Sequence, residues 1–343
     1  MKPLVSICIP TYNGSQYLRE CLDSVLSQSF SNYQVIIVDD QSSDNTWEIV
    51  NQYASQDNRI TLFKNERNLG LVGNWNRCIE LACGEWIKFV FQDDLIAPEC
   101  LERMLNAARP DSSFIFCRRD FIFEAGTTQF TRNFYLEGRA LVERLFPDSS
   151  PVTARQYSEM VLNNIVLNLI GEPTVVMLHK RVFEEFGDFN PHLMVSCDTE
   201  YWIRVGIHTG VISVAENLAS FRVHGDSVSA RSFLNRDYRV NVLEPLAMLH
   251  EVVFNSRYAP LREVAEDLSV NLTQQFRSKA LWAYGIAKRA AKDDQNPDIS
   301  LLREWQDVAL QFRRFSTVPL RYSLLRQWRI LVGRCCGWRE AGN

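Results

Sequence analysis

Apolar residues recur along the first hundred positions in two alternating periods. A short run over 4–9 ends at Pro10 and predicts a strand. Leu18, Cys21, Leu22, Val25 and Leu26 then fall at i, i+3, i+4, i+7 and i+8, one face of an amphipathic helix. Residues 35–38 are a solid β-branched run, as in a strand buried on both faces. Ser42 and Ser43 can cap a helix over 44–54. A third strand is predicted over 60–63, a helix over 71–82 closed by Gly84, and a fourth strand over 86–91. Pro98 opens another helix, and 114–117 reads as a fifth strand. Repeated β-α-β units imply a mixed, mostly parallel sheet flanked by helices.

Past residue 120 the pattern changes. The sequence predicts a hairpin and a short helix around Leu141 within 121–150, a helix over 153–170, and a strand over 174–178. A turn over 186–189, a helix over 199–207 and two short strands in 211–223 follow. From about 235 the remainder reads as helical. No repeat or Gly/Ser linker separates the parts, so the second should pack on the first. The predicted division is a catalytic domain over 1–232, with halves 1–120 and 121–232, and a helical C-terminal extension over 233–343.

Charge narrows the function classes. The 343 residues carry net charge -4, without the basic excess of a nucleic-acid binder. From Leu301 onward eight Arg stand against three acids, so a basic tail follows an acidic body. Nine Cys without C-x-x-C spacing suit free thiols in a reducing compartment and give no zinc pattern. No signal-peptide pattern and no run of ~18 apolar residues appears, so a cytoplasmic protein, soluble or peripheral, is expected. In 317–339, Leu320, Leu324, Leu325, Trp328 and Leu331 approximate one helical face, with Arg321, Arg326 and Arg329 largely elsewhere. Such a helix can lie in an anionic membrane interface or pack on the catalytic domain.

Ligands of parallel sheets bind beyond the carboxyl ends of the strands. Three polar clusters stand there: Thr11-Tyr12-Asn13, Asp39-Asp40 and Gln92-Asp93-Asp94. An Asp after a strand is usually a cap or loop residue. Two acidic pairs at one sheet edge, however, repel unless a cation sits among them, and hard oxygen ligands suit Mg2+ or Mn2+. A dinucleotide-binding glycine motif, a P-loop and a G-x-S-x-G elbow are all absent.

V-S-I-C-I-P-T-Y-N-G, V-I-I-V-D-D-Q-S-S-D-N-T, N-x-G and G-E-W-I-K-F-V-F-Q-D-D resemble, in order and spacing, the family-two glycosyltransferases of the GT-A fold. F-G-D-F-N, C-D-T-E-Y-W-I-R and F-R-V-H-G-D-S-V-S extend the resemblance over roughly the first two thirds of the chain. It implies inverting transfer of one hexosyl or deoxyhexosyl unit from a nucleotide-diphosphate sugar, with a divalent cation. Thr11, Tyr12, Asn13 and Asp39 would hold the nucleoside, and Asn68, Gly70 and Asn76 would close its side. Asp93 and Asp94 would hold the metal, with Asp94 as the direct ligand and His224 as a third candidate. Gln92 stands where the family usually has an acid.

Asp198 would be the base, with Cys197 in place of the usual Glu, and Glu200 is the second candidate. Arg222 could face the diphosphate and Trp202 could stack on a sugar. The processive Q-x-x-R-W motif is missing, so single additions are expected, on a glycan or lipid-linked acceptor of envelope polysaccharide synthesis. A non-catalytic nucleotide-sugar binder, a response-regulator receiver and a metal-dependent nucleotidyltransferase are the rivals. The last two lack the expected acid placement and phosphate loop.

Overall fold

A computed structural model describes residues 2–165, 167–225, 237–293 and 299–325. Val5–Thr11 (β1), Tyr33–Asp39 (β2), Ile60–Lys64 (β3) and Trp86–Phe89 (β4) form a parallel run in the order β3-β2-β1-β4. Every residue of β1 is buried, as a central strand covered on both faces requires. Leu18–Leu26 (α1), Thr46–Ala54 (α2) and Gly70–Leu81 (α3) are the crossover helices, and α1 buries Leu18, Cys21, Leu22 and Val25. The register places Thr11, Asp39 and Lys64 side by side at the carboxyl edge. The first acidic pair therefore stands where the three strands end together.

Beyond β4 the sheet is mixed. Val176–His179 (β8) lies antiparallel between β4 and Phe114–Phe123 (β6), which pairs parallel with Val211–Val223 (β9). Leu95–Ile96 (β5) and Pro151–Val152 (β7) add two-residue antiparallel edges to β9, too short to carry a sequence signal. The two strands predicted in 211–223 are one. Glu216 and Asn217 read as a break, but irregularities between Cys117 and Arg119 absorb them while β6 and β9 stay paired.

In place of the predicted hairpin, β6 runs on to Phe123, and Thr128 caps a helix over Gln129–Leu145 (α5). Only Val142 of α5 is buried, which explains the weak helical period. The helix predicted over 153–170 stops early. Thr153 and Gln156 form a reciprocal cap on Ala154–Asn163 (α6), after which the chain leaves the helix for a loop that proves important. Cys100–Ala107 (α4) and Arg181–Phe186 (α7) complete the flanks.

Cys197–Thr209 (α8) is buried from Cys197 through Ile207. α6 crosses it closely: a Cβ at Gly206 would lie 2.4 Å from the Tyr157 ring, so only glycine fits. The C-terminal layer comprises Glu244–Phe254 (α9), Ala259–Asp267 (α10), Leu272–Ala290 (α11) and Ser300–Gln311 (α12). Its core is continuous with that of the sheet, from Val5 to Val318. The predicted boundary at 232 lies outside the described residues, as does the tail beyond Leu325. No described helix is long and apolar enough to cross a membrane.

One buried ion pair fastens the layers. Arg204 grips Glu200 with two hydrogen bonds of 2.9 Å, and Tyr258, just ahead of α10, donates to the same carboxylate. Arg204 also donates to the carbonyls of Phe186 and Asp188. Arg204→Met should leave Glu200 buried without its counter-ion and cost about 3–5 kcal/mol. Urea unfolding checks this; a loss under 1 kcal/mol would mean that water reaches the pair.

Candidate active site

Asp39 and Asp40 are adjacent and buried, yet they do different work. Asp40 accepts from Asn65 Nδ2 at 2.7 Å and from the backbone N–H groups of Leu69 and Gly70 at 2.8 and 2.9 Å. Asn68 bridges the Asp40 carbonyl to the Gly70 N–H. With φ at +76°, Gly70 takes a backbone conformation that favours glycine. Asp40 thus builds the loop that carries Asn68 and Gly70. Asp39 accepts from the Ser42 N–H at 3.1 Å, with Thr11 Oγ1 at 3.4 Å and Lys64 Nζ at 3.9 Å.

Gln92 explains itself in this setting. Its carbonyl accepts from the Tyr12 N–H at 2.9 Å, and its amide donates to the Tyr12 carbonyl at 3.1 Å. A carboxylate could not donate the second bond. The clip joins the loops after β1 and β4 and leaves Tyr12 half-exposed at the edge. Asn13, with φ at +47°, receives the Ser43 N–H.

Asp93 and Asp94 point in opposite directions. Asp94 has no exposed surface and accepts from Thr174 Oγ1 and the Arg222 N–H. Burial, then the neighbouring Asp93 charge, pushes its carboxyl well above the usual range. Asp93 keeps partial solvent access and lies 2.9 Å from His224 Nε2. Arg222 braces the turn: it donates to the Asp93 carbonyl, pairs with Glu20 and Glu124, and covers the Tyr17 ring.

The segment after α6 joins this turn to α8. Thr174 holds Asp94, and Lys88 of β4 donates to the Thr174 carbonyl. Six residues earlier, Asn168 accepts the N–H groups of Ile170 and Gly171 and donates to Asp198 Oδ2 at 3.2 Å. Gly171 has φ at +127°, and a Cβ there would meet the Arg119 guanidinium. Trp202 donates from its indole to the Gly171 carbonyl, so it belongs to the core and not to a sugar platform.

Asp198 stands in the first turn of α8. Its Oδ1 receives the Thr199 N–H and, at 3.1 Å, the Thr199 hydroxyl. Burial pushes its carboxyl up to about 7 against these donors. Cys197 is buried and donates to the Met194 carbonyl. Glu244, at the start of α9, accepts the N–H groups of Met194, Val195 and Ser196 at 2.8–2.9 Å. A carboxylate from the C-terminal layer thereby shapes the loop that delivers Asp198.

The family model described as "Glycosyl transferase family 2" matches residues 6–184, half of the chain and most of this edge. The chain belongs to glycosyl transferase family 2. An uncharacterized Mycobacterium tuberculosis protein is 31% identical over 222 residues, 64% of this chain and 66% of its own length. An Escherichia coli protein named as a UDP-Glc:alpha-D-GlcNAc-diphosphoundecaprenol beta-1,3-glucosyltransferase is 25% identical over 75% of this chain and 92% of its own. Among solved structures, the mannosyltransferase PcManGT from Pyrobaculum calidifontis, in complex with GDP-Man and Mn2+, has a TM-score of 0.55 at 17% identity, covering 96% of this chain and 88% of that one. That likeness is one of fold.

Within this family-two site, several predicted residues take other tasks. Asn76 exchanges two hydrogen bonds with the Phe189 backbone, tying α3 to the 186–190 turn. Thr11 is buried beneath Asp39. The oxygens of Asp94 are engaged, so the accessible carboxylate of the pair is Asp93. Glu200 is consumed by Arg204 and Tyr258 and is no base. Arg222 is braced by its own acids.

Asn168, Thr174 and Glu244 were missed. Asn168 leaves one sequence trace, a polar residue in an apolar run just before Gly171-Glu172-Pro173. Glu244 leaves none, because its partners are backbone groups about fifty residues away.

The raised Asp198 carboxyl makes stability depend on pH. Between the ordinary aspartate value of 3.8 and about 7 the folded protein holds a proton that the unfolded chain has released, so stability falls as pH rises through that window and levels off above it. Relative to Asp198→Asn, which does not titrate, wild type should lose up to about 4 kcal/mol from pH 4 to 7. Urea unfolding of both proteins across that range measures the gap. A gap independent of pH would return Asp198 to an ordinary carboxylate.

Proposed function

We propose that this glycosyltransferase inverts the anomeric centre and moves one hexosyl or deoxyhexosyl unit from a nucleotide-diphosphate sugar to an acceptor hydroxyl. The acceptor is a lipid-linked or envelope-polysaccharide precursor at the cytoplasmic membrane face. The observation that carries the reading is Asp198: a buried carboxyl at about 7, held by Asn168 and Thr199, on the loop system that also holds the Asp93-Asp94 turn. A general base works best with a pKa near the working pH. A protein that merely binds nucleotide sugars has no use for such a group, which sets the non-catalytic reading second.

Donor binding falls to Tyr12, Asn13 and Asp39 on one side and to the Asn68-Gly70 loop on the other. Tyr12 offers a half-exposed ring at the edge, and the Asp39 carboxylate ends β2 just beneath the surface. Asp198 takes the acceptor proton while the acceptor oxygen attacks the anomeric carbon. The bond to the diphosphate breaks on the opposite face, and the leaving group departs with the electron pair.

Asp93 and His224 fit a divalent cation, Mn2+ or Mg2+. They bring one carboxylate oxygen and one imidazole nitrogen together at an accessible turn. Bound there, the cation supplies positive charge to the departing diphosphate. Among the described residues no three acidic, His or Cys side chains gather around one point. Two protein ligands would be too few alone, and the donor's diphosphate would have to supply the remaining oxygens. The lipid-linked acceptor draws support from the Escherichia coli relative, which is named for a diphosphoundecaprenol-linked acceptor.

Asp198→Asn should bind donor normally and turn over roughly 10²-fold more slowly or worse. Donor affinity by calorimetry and transfer by product assay separate the two effects; near-normal transfer would take the base away from Asp198. Mn2+ should bind weakly alone and tightly with UDP or GDP present, and Asp93→Asn should abolish that synergy. Undiminished synergy in the variant would remove Asp93 from the metal site.

A further inference from the structure

A cavity lies in the C-terminal layer and shares no residue with the candidate donor site. It measures about 410 Å³, within the roughly 300–1,000 Å³ of small-molecule sites. Phe254, Phe276, Leu281, Val318 and Leu324 give it an apolar lining. Arg277, Arg314 and Arg321 also line it, and all three are exposed residues. Among the described residues none of them has a carboxylate partner. Arg314 instead lies over the Phe254 ring at 5.2 Å. Leu320 and Leu324, 68% and 56% exposed, stand on the helix that borders it. An apolar cavity ringed by three guanidinium groups that have no carboxylate partner among the described residues matches a molecule with an apolar chain and an anionic, multi-oxygen head.

We propose that this cavity binds a phosphate-headed lipid, the chain against Phe276 and Leu281 and the phosphate on Arg277, Arg314 and Arg321. The charge pattern selects this occupant over the chain's own tail. Residues 326–343 carry four Arg and one Glu, so seating them here would set like charges together. The site also has a physical link to catalysis. α9 begins at Glu244, which holds the 194–196 loop ahead of Asp198, and ends at Phe254, which lines the cavity. Eleven residues of helix span about 15 Å, so a lipid held here lies about one helix length from the catalytic loop.

Thermal unfolding of the full chain, without donor or metal, tests the site independently of the transfer reaction. The probes are farnesyl phosphate, monomeric dihexanoyl phosphatidylglycerol, farnesol and inorganic phosphate. One or both phosphate lipids should raise the midpoint with concentration, while farnesol and phosphate alone should not. A response to farnesyl phosphate alone assigns an isoprenoid carrier; a response to phosphatidylglycerol assigns a bilayer lipid. The Arg277→Glu, Arg321→Glu double variant changes exposed residues and should keep its ligand-free midpoint, yet bind the lipid at least tenfold more weakly. No shift with either lipid, equal affinity in the variant, or farnesol binding as tightly as its phosphate would overturn the proposal.

Discussion

Burying a carboxylate costs several kcal/mol unless donors or a counter-ion replace the lost water. Among its described residues this chain buries six: Asp39, Asp40, Asp94, Asp198, Glu200 and Glu244. How each is satisfied decides what it does. Asp40 and Glu244 take backbone N–H groups and fold loops around themselves. Glu200 takes Arg204 and Tyr258 and joins two layers. Asp94 takes a hydroxyl and an N–H and fixes a turn. Asp198 takes the Thr199 N–H and hydroxyl and the Asn168 amide, and burial still leaves it a proton affinity near neutrality.

The loop over 167–174 turns this arrangement into a site. It follows an α6 that stops at Asn163, and Lys88 holds its far end against β4. One end orients Asp198 through Asn168, and the other anchors Asp94 through Thr174. Glu172, between them, raises the proton affinity of both acids through its charge. The Asp93-Asp94 turn and Asp198 are therefore positioned by one short segment. A shift of that segment would move both.

The C-terminal layer belongs to the same machine. Glu244 and Tyr258 reach from it to the start and the first turns of α8. Its own core is continuous with that of the sheet, and α9 connects the catalytic loop to the Arg-ringed cavity. The matched family model ends at residue 184, ahead of this layer.

The sequence by itself determined the first hundred residues closely. Strand and helix periods there are strong because each crossover helix buries one face and each central strand buries two, as the four buried positions of α1 and the fully buried β1 illustrate. It also marked the acids at the ends of two strands, Asp39-Asp40 and Asp93-Asp94, while Asp198 and His224 entered as candidates through the family resemblance. Tertiary structure alone decided which acid of the Asp93-Asp94 pair keeps solvent access. Asp93 and Asp94 are neighbours of identical chemistry, and only Thr174 and Arg222, 80 and 128 residues from Asp94, draw one of them inward. The same holds for Asn76, claimed by a backbone 113 residues away, and for Glu244, whose partners carry no side-chain signature. Periodicity records which side of an element meets the core. It does not record the hydrogen-bond partner, because that partner is fixed only when distant segments pack.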